Sequence, residues 1–242
     1  MSIPRFYCSS PIAEAVQLEL PPSAGHHAAR VLRLKPGDQI VLFDGLGGEY
    51  EASIHHINKS GVLVDVGKFH STDRESELKI CLAQGLASGD KMDTIIQKAV
   101  ELGVARIQPL ATRKSIVKLT DERAARRAEH WRQVVISACE QCGRNRVPEV
   151  LPVEEIGNWV GREISGSRLV LAPGASRRLA EFPDPNKEIT LLVGPEGGLT
   201  DDEVKLALDA GYSPVRLGPR VLRTETAGLA ALAAIQALWG DY

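Results

Sequence analysis

The run Val215-Arg216-Leu217-Gly218-Pro219-Arg220-Val221-Leu222-Arg223-Thr224-Glu225-Thr226-Ala227-Gly228 gathers guanidinium, carboxylate and hydroxyl groups between a short apolar strand and an apolar helix. Such a loop stands at the carboxyl end of a strand and the amino end of a helix. Backbone N–H groups lack intrahelical partners there, and α/β proteins bind ligands at that edge. A second loop of the same kind is Gly194-Pro195-Glu196-Gly197-Gly198, after the apolar strand expected over Ile189–Val193. Its glycines permit positive φ and close approach of a ligand to backbone. A third, Pro173-Gly174-Ala175-Ser176, follows a strand expected from Arg168 to Ala172. Together these loops would hold a nucleotide-like ligand largely through backbone groups. The familiar phosphate motifs are missing: Gln84-Gly85-Leu86-Ala87-Ser88-Gly89-Asp90-Lys91 fits neither GxGxxG nor the P-loop spacing.

The elements that must position these loops alternate. Leu78 to Ala83 reads as a strand, Lys91 to Leu102 as a helix with Met92, Ile95, Ile96, Ala99 and Leu102 on one face, and Arg106 to Leu110 as a strand. Thr200-Asp201-Asp202-Glu203 is a capping box that opens a helix. The last helix, Thr226 to Trp239, is apolar nearly all round and must be covered on several sides. This alternation implies a mostly parallel sheet with helices on both faces. Before it the rhythm differs: short strands are expected at Arg5–Cys8, Gln17–Leu20, Gln39–Phe43, Glu49–Ile54 and Val62–Val66, with one helix around His26–Arg33. Closely spaced strands of this kind suggest a small β-barrel. The polar run from His70 to Glu77 marks the boundary, giving domains over 1–72 and 73–242.

At 242 residues, 43 % hydrophobic and 25 % charged, the chain has the composition of a globular protein with a proper core. Its start lacks a signal-type apolar run, and the stretch from Ala227 to Trp239 is too short to span a bilayer, so a cytoplasmic protein without a membrane partner is expected. Cys139 and Cys142 have CxxC spacing but no second pair; reduced, packed thiols are favoured over a redox role, and no metal is expected. His26 and His27 likewise lack further ligands. Net charge is −2, yet the segment from Arg113 to Arg146 carries nine basic and four acidic residues. Nucleic acid would therefore be held by a local patch rather than by the whole surface. Arg123, Arg126, Arg127 and His130 fall on one helical face, either a solvated surface or an RNA-phosphate contact. Gly143 should end that helix and leave Arg144-Asn145-Arg146 exposed.

Six stretches in order carry a resemblance: Ile3-Pro4-Arg5, Val31-Leu32-Arg33, Gln97-Lys98 with Glu101-Leu102-Gly103-Val104, Glu140-Gln141-Cys142-Gly143-Arg144, Gly194-Pro195-Glu196-Gly197-Gly198, and Leu217 to Thr226. Together they resemble the RsmE-type bacterial ribosomal-RNA methyltransferases of the SPOUT superfamily, over nearly the whole chain. The resemblance implies an α/β fold: an N-terminal PUA-like β-barrel, then a SPOUT α/β domain with a deep C-terminal trefoil knot. It implies a homodimer that uses S-adenosyl-L-methionine to methylate N3 of one uridine in 16S ribosomal RNA of the small ribosomal subunit.

Carried onto this sequence, the cofactor loops fall on Leu171, Ala172 and Pro173; on Gly194, Pro195, Glu196, Gly197 and Gly198; and on Leu217, Gly218, Pro219, Val221, Leu222, Thr224 and Thr226. Methyl transfer to N3 requires loss of its proton, and negative charge then spreads over O2 and O4. A fixed guanidinium can stabilise those oxygens. Arg223 is the first candidate, with Arg220 and Arg5 next. Glu225 would serve as base or, preferably, hold Arg223, because an ion-paired carboxylate is a weak base. Phosphate contacts would come from Arg30, Arg33, Arg113, Lys114, Lys118, Arg123, Arg126, Arg127, Arg144 and Arg146. Two other readings stand beside this one: a non-catalytic ribosomal-RNA-binding factor, and a SPOUT enzyme acting on transfer RNA. The charged residues at 220 to 225 argue against a mere scaffold.

Overall fold

The structure, a computed structural model, describes residues 3–115, 121–163 and 165–242. The chain forms two compact units, residues 1–75 with Cys139–Val147, and Ser76–Ala138 with Pro148–Tyr242.

In the first unit, strands β1 (Arg5–Tyr7), β2 (Gln17–Glu19), β3 (Gln39–Phe43), β4 (Glu49–Ile57) and β5 (Val62–His70) make one sheet in the order β1-β3-β4-β5-β2. Only β1 and β3 run parallel. Alternation selects the core: Ile40 and Leu42, Ala52 and Ile54, and Val62, Val64 and Val66 are buried with Phe6 and Ala28. The single helix expected around His26–Arg33 is instead α1 (Pro22–His26) continued by a π-helical turn over His27–Val31. Arg33, at φ 55°, takes the chain out of it.

The second unit holds β6 (Lys79–Gly85), α2 (Lys91–Glu101), β7 (Arg106–Ala111) and most of α3 (Asp121–Cys142). It continues with β8 (Glu149–Val150), β9 (Glu154–Glu155), α4 (Ile156–Val160), β10 (Ser167–Leu171), β11 (Glu188–Val193), α5 (Asp201–Asp209), β12 (Ser213–Val215) and α6 (Thr224–Trp239). The sheet order is β12-β10-β11-β6-β7-β8, with β9 also on β7, and every ladder is parallel. Central strands β6 and β11 are buried along almost their whole length, as a sheet covered on both faces requires. The order reverses between them: the connection from β6 leads to β7 on one side, that from β11 towards β12 on the other. A crevice therefore opens at the carboxyl ends of β6 and β11.

Local capping fixes the helices. Thr200 accepts from Glu203 N while the Glu203 carboxylate takes Thr200 N, and the expected capping box is formed. Gln236, a fully buried polar side chain in the last turn of α6, donates to Leu102 O at the end of α2 and accepts from Ser76 Oγ. Helix α6 thus docks on α2 through its buried face, while Leu238 stays 45 % exposed.

Candidate active site

The three loops emerge side by side because their strands are in register. Leu171 pairs with Val215, Val170 with Leu192, and Val193 with Gln84, so β10, β11, β12 and β6 end at one edge. Ala172 N donates to Val215 O and Arg216 N to Arg177 O, which ties the first loop to the third.

The second loop is fastened to the β6–α2 connection. Glu196 Oε1 accepts from Ser88 N (2.9 Å), Ser88 Oγ (2.6 Å) and Lys91 Nζ (3.1 Å). Burial alone would raise its pKa; the bonds from Ser88, its own N–H and Lys91 outweigh that and hold the carboxyl down at about 2. Its other oxygen, Oε2, is buried and has no partner among the described residues. Gly85 packs so closely on this loop that a Cβ there would meet Pro195 Cδ at 2.6 Å. Gly198 adopts φ 68°, and a Cβ on it would meet nothing within 4 Å.

The third loop is the least tied. Residues 217–222 make none of the hydrogen bonds formed among the described residues, leaving partly buried backbone N–H and C=O groups of Leu217, Gly218 and Leu222 available to a ligand. Gly218, at φ 129°, has open space where a side chain would stand. Order returns at Arg223, whose carbonyl caps α6 by accepting from Thr226 N and Ala227 N. The Arg220 and Arg223 side chains are exposed, and among the described residues neither has a hydrogen-bond or ion-pair partner. Glu225 does not hold Arg223, contrary to expectation. The two form no ion pair, and Glu225 Oε2 is buried without a donor among the described residues.

Six buried side-chain atoms lack a partner among the described residues, and four of them, Gln84 Oε1, Glu196 Oε2, Arg216 Nε and Glu225 Oε2, belong to residues at this one edge. Burying a polar group without a partner is costly, so such a concentration marks a place completed by a ligand. Three acceptors and one guanidinium suit S-adenosyl-L-methionine, which carries donor amino and hydroxyl groups, positive charge and one carboxylate. Sequence reasoning selected neither Gln84 nor Arg216. The signal for Gln84 was available: it is the polar residue ending an otherwise apolar strand, Ile80-Cys81-Leu82-Ala83. A cavity of about 330 Å³ opens at the opposite edge, lined by Ser167, Ile189 and Ser213, and shares none of these atoms.

Other candidates lie elsewhere. Arg5 is committed within the first unit: it donates to Glu49 (2.6 Å) and Asn145 and lies over the Phe43 ring at 5.3 Å. Burial pushes Glu49 up, but hydrogen bonds from Arg74 and Arg5 prevail and keep it at about 2. This is the chemistry of a structural ion cluster rather than of a free catalytic cation. Arg144 is not exposed as expected; it is buried, its fork gripping both oxygens of Glu75. It is therefore unavailable to phosphate.

Arg146, Arg30 and Arg33 are exposed, the last two flanking Val31 (61 % exposed) and Leu32 (42 %). On α3, Arg123 is exposed, Arg126 pairs with Glu122 and Arg127 is half-buried. Arg113 pairs with Asp202, Lys114 donates to Leu199 O, and Lys118 lies outside the described residues. Cys139 and Cys142 are free thiols, and burial pushes Cys139 up to about 12, which makes its thiolate inaccessible.

Comparison with known proteins gives a consistent answer. Residues 74–236 match the RNA methyltransferase domain model and residues 20–67 the RNA methyltransferase PUA domain model. The chain is 35 % identical to ribosomal RNA small subunit methyltransferase E of Buchnera aphidicola, covering 99 % of this chain and 98 % of that one. The fold superimposes on a methyltransferase of Legionella pneumophila in complex with S-adenosylmethionine (TM-score 0.97, 40 % identity, all of both chains). It also superimposes on ribosomal RNA small subunit methyltransferase E of Neisseria gonorrhoeae bound to the same cofactor (TM-score 0.93, 41 % identity, all of both chains).

Proposed function

The chain belongs to the ribosomal RNA small subunit methyltransferase E family, and from that premise we propose that it transfers a methyl group from S-adenosyl-L-methionine to N3 of one uridine in 16S ribosomal RNA. The observation that carries this reading is the concentration of unpartnered buried polar atoms at the edge where the three loops emerge. Bound there, the cofactor would supply a methyl group already activated by its sulfonium. The protein's part is then to bind, orient and stabilise charge.

Backbone groups of the Gly194–Gly198 and Leu217–Leu222 loops would hold the adenosine part. Arg223, seconded by Arg220, would present its planar fork to O2 and O4 of the uridine as N3 loses its proton. Glu225 has no cation to neutralise it among the described residues and would accept a hydrogen bond from cofactor or substrate. The target base must leave its stack to reach this loop edge, and Arg30, Arg33, Arg123, Arg126, Arg127 and Arg146 would grip the surrounding phosphates. We further propose residues 1–72 as the RNA-binding domain and 73–242 as the methyltransferase domain. The chain from β12 to α6 would be the knotted segment, and a homodimer would cover the exposed end of α6. The protein would work in the cytoplasm, without a metal.

The test combines calorimetric titration of S-adenosyl-L-methionine with transfer of labelled methyl groups to unmodified small ribosomal subunits, to 16S RNA alone and to transfer RNA, followed by nucleoside analysis. The expected product is 3-methyluridine in small-subunit RNA. Arg223→Ala should lower turnover about a hundredfold or more while cofactor affinity stays within about twofold. Methyl transfer only to transfer RNA, or a folded protein that binds small-subunit RNA but neither binds nor uses the cofactor, would overturn the proposal.

A further inference from the structure

The loop that carries the candidate arginines has no hydrogen bonds among the described residues between 217 and 222, yet the residue directly after Arg223 is firmly tied. Thr224, 6 % exposed, donates from Oγ1 to Gly194 O at 2.7 Å and accepts from Gln84 Nε2 at 3.0 Å. Gln84, fully buried, also donates to Gly85 O at 2.9 Å and approaches Gly194 O at 3.4 Å. One side chain at the end of β6 thus touches both the first residue of the second loop and the first residue of α6.

We propose that Gln84 and Thr224 are positioning residues for methyl transfer: a buried bracket that sets Arg223 against the cofactor loop at Gly194. The inference rests on the methyltransferase reading above. The Thr224 hydroxyl has one proton, and that proton is spent on Gly194 O, so it cannot also be donated to a bound cofactor. Its role is internal. One helical turn on, Gly228 brings α6 against the same strand. A Cβ there would meet Gln84 Oε1 at 3.4 Å and Leu82 and Val193 at 3.7 Å, all in tight or ordinary contact. Positions 224 and 228 share a helix face, so α6 meets the sheet along a line that starts at the bracket. The Arg223 backbone is then fixed on its helix side, by its own carbonyl capping Thr226 and Ala227 and by Thr224 beside it. The part of the loop without hydrogen bonds among the described residues lies before it. A guanidinium that must meet charge developing on a base tolerates little displacement: an error near 1 Å costs about a hundredfold in rate.

Thr224→Val keeps the shape and removes the hydroxyl. It should lower kcat roughly tenfold to a hundredfold while the calorimetric Kd for S-adenosyl-L-methionine stays within about twofold. Thr224→Ser, which restores the O–H, should recover turnover to within about threefold of the parent, by the same hydrogen-bond logic. Gln84→Glu, which removes the amide donor, should reproduce the turnover loss and the faster exchange of Thr224→Val; constant cofactor affinity is expected of the Thr224 variants alone, because Gln84 Oε1 is itself open to a ligand. Amide exchange over residues 223–227, measured without substrate, should accelerate in Thr224→Val and not in Thr224→Ser. Unchanged turnover in Thr224→Val, cofactor affinity falling in proportion to kcat, or unchanged exchange at 223–227 would each overturn the bracket. Failure of the parent protein to methylate any RNA would instead refute the methyltransferase reading, and the exchange measurement would still decide whether the bracket holds Arg223.

Discussion

Replacing Glu196 by glutamine keeps the shape of the second loop and removes one charge, which makes it a direct measure of how that loop is held. The carboxylate is 19 % exposed and takes three hydrogen bonds through Oε1, two from Ser88 and one from Lys91. Burial opposes ionisation there; the donors overcome it and lower the pKa from 4.5 to about 2. At about 1.4 kcal/mol for each tenfold change in proton affinity, the ionised form stabilises the fold by about 3 kcal/mol relative to the protonated one. Because the folded value is depressed, that contribution is present in full above pH 4.5. It is lost as pH falls from about 4.5 to about 2. The assay is urea unfolding followed by tryptophan fluorescence, since Trp131, Trp159 and Trp239 all belong to the second unit. The parent should exceed Glu196→Gln by about 3 kcal/mol at pH 7, and the gap should narrow steadily below pH 4.5. A gap that stays constant between pH 7 and pH 3 would refute the reasoning, because it would mean that loop packing, not the ionised carboxylate, supplies the stability.

Two further substitutions probe the same architecture. Arg144→Met should cost the first unit about 3–5 kcal/mol, because it strands the Glu75 carboxylate where its side chain is only 10 % exposed; a calorimetric scan should show the loss, and Glu75→Gln added to it should return part of it. Gly85→Ala should weaken S-adenosyl-L-methionine binding at least about tenfold in a titration, since the new Cβ would stand 2.6 Å from Pro195 Cδ and 2.7 Å from its nitrogen, and the loop must move to admit it.

What was legible in the sequence was what is local. The capping box at Thr200 and Glu203 is formed by residues three apart, and the apolar runs of β6 and β11 declare strands buried on both faces. The stretch from Glu149 to Val160 escaped because β8 and β9 are two-residue strands bearing glutamates, held only by the edge they find on β7. The exposure of Arg144 was misjudged for a different reason: its partner Glu75 stands 69 residues earlier, and no pattern within a helix or loop announces that pairing. The bracket is less local still, with Gln84 and Thr224 separated by 140 positions. The glycine loops told where the ligand edge lies; they did not tell which buried side chain holds the loops together.

Several arginines are already neutralised in the free protein, Arg126 among them although it is also a candidate phosphate contact. Arg5, Arg74 and Arg144 in the first unit, and Arg113, Arg126, Arg162 and Arg178 in the second, each face a carboxylate. Arg220 and Arg223 at the third loop, like Arg30, Arg33, Arg123 and Arg146 elsewhere, have no carboxylate partner among the described residues, although Glu225 lies two positions from Arg223. In water an exposed unpaired guanidinium costs little, because solvent screens it. Once a polyanion docks and excludes that water, the same group gains a strong interaction with any charge that develops beside it, whereas an arginine already neutralised by a carboxylate would have to break that pair first. In the role proposed for Arg223, its separation from Glu225 would leave that electrostatic work undone in the free protein and available to the transition state.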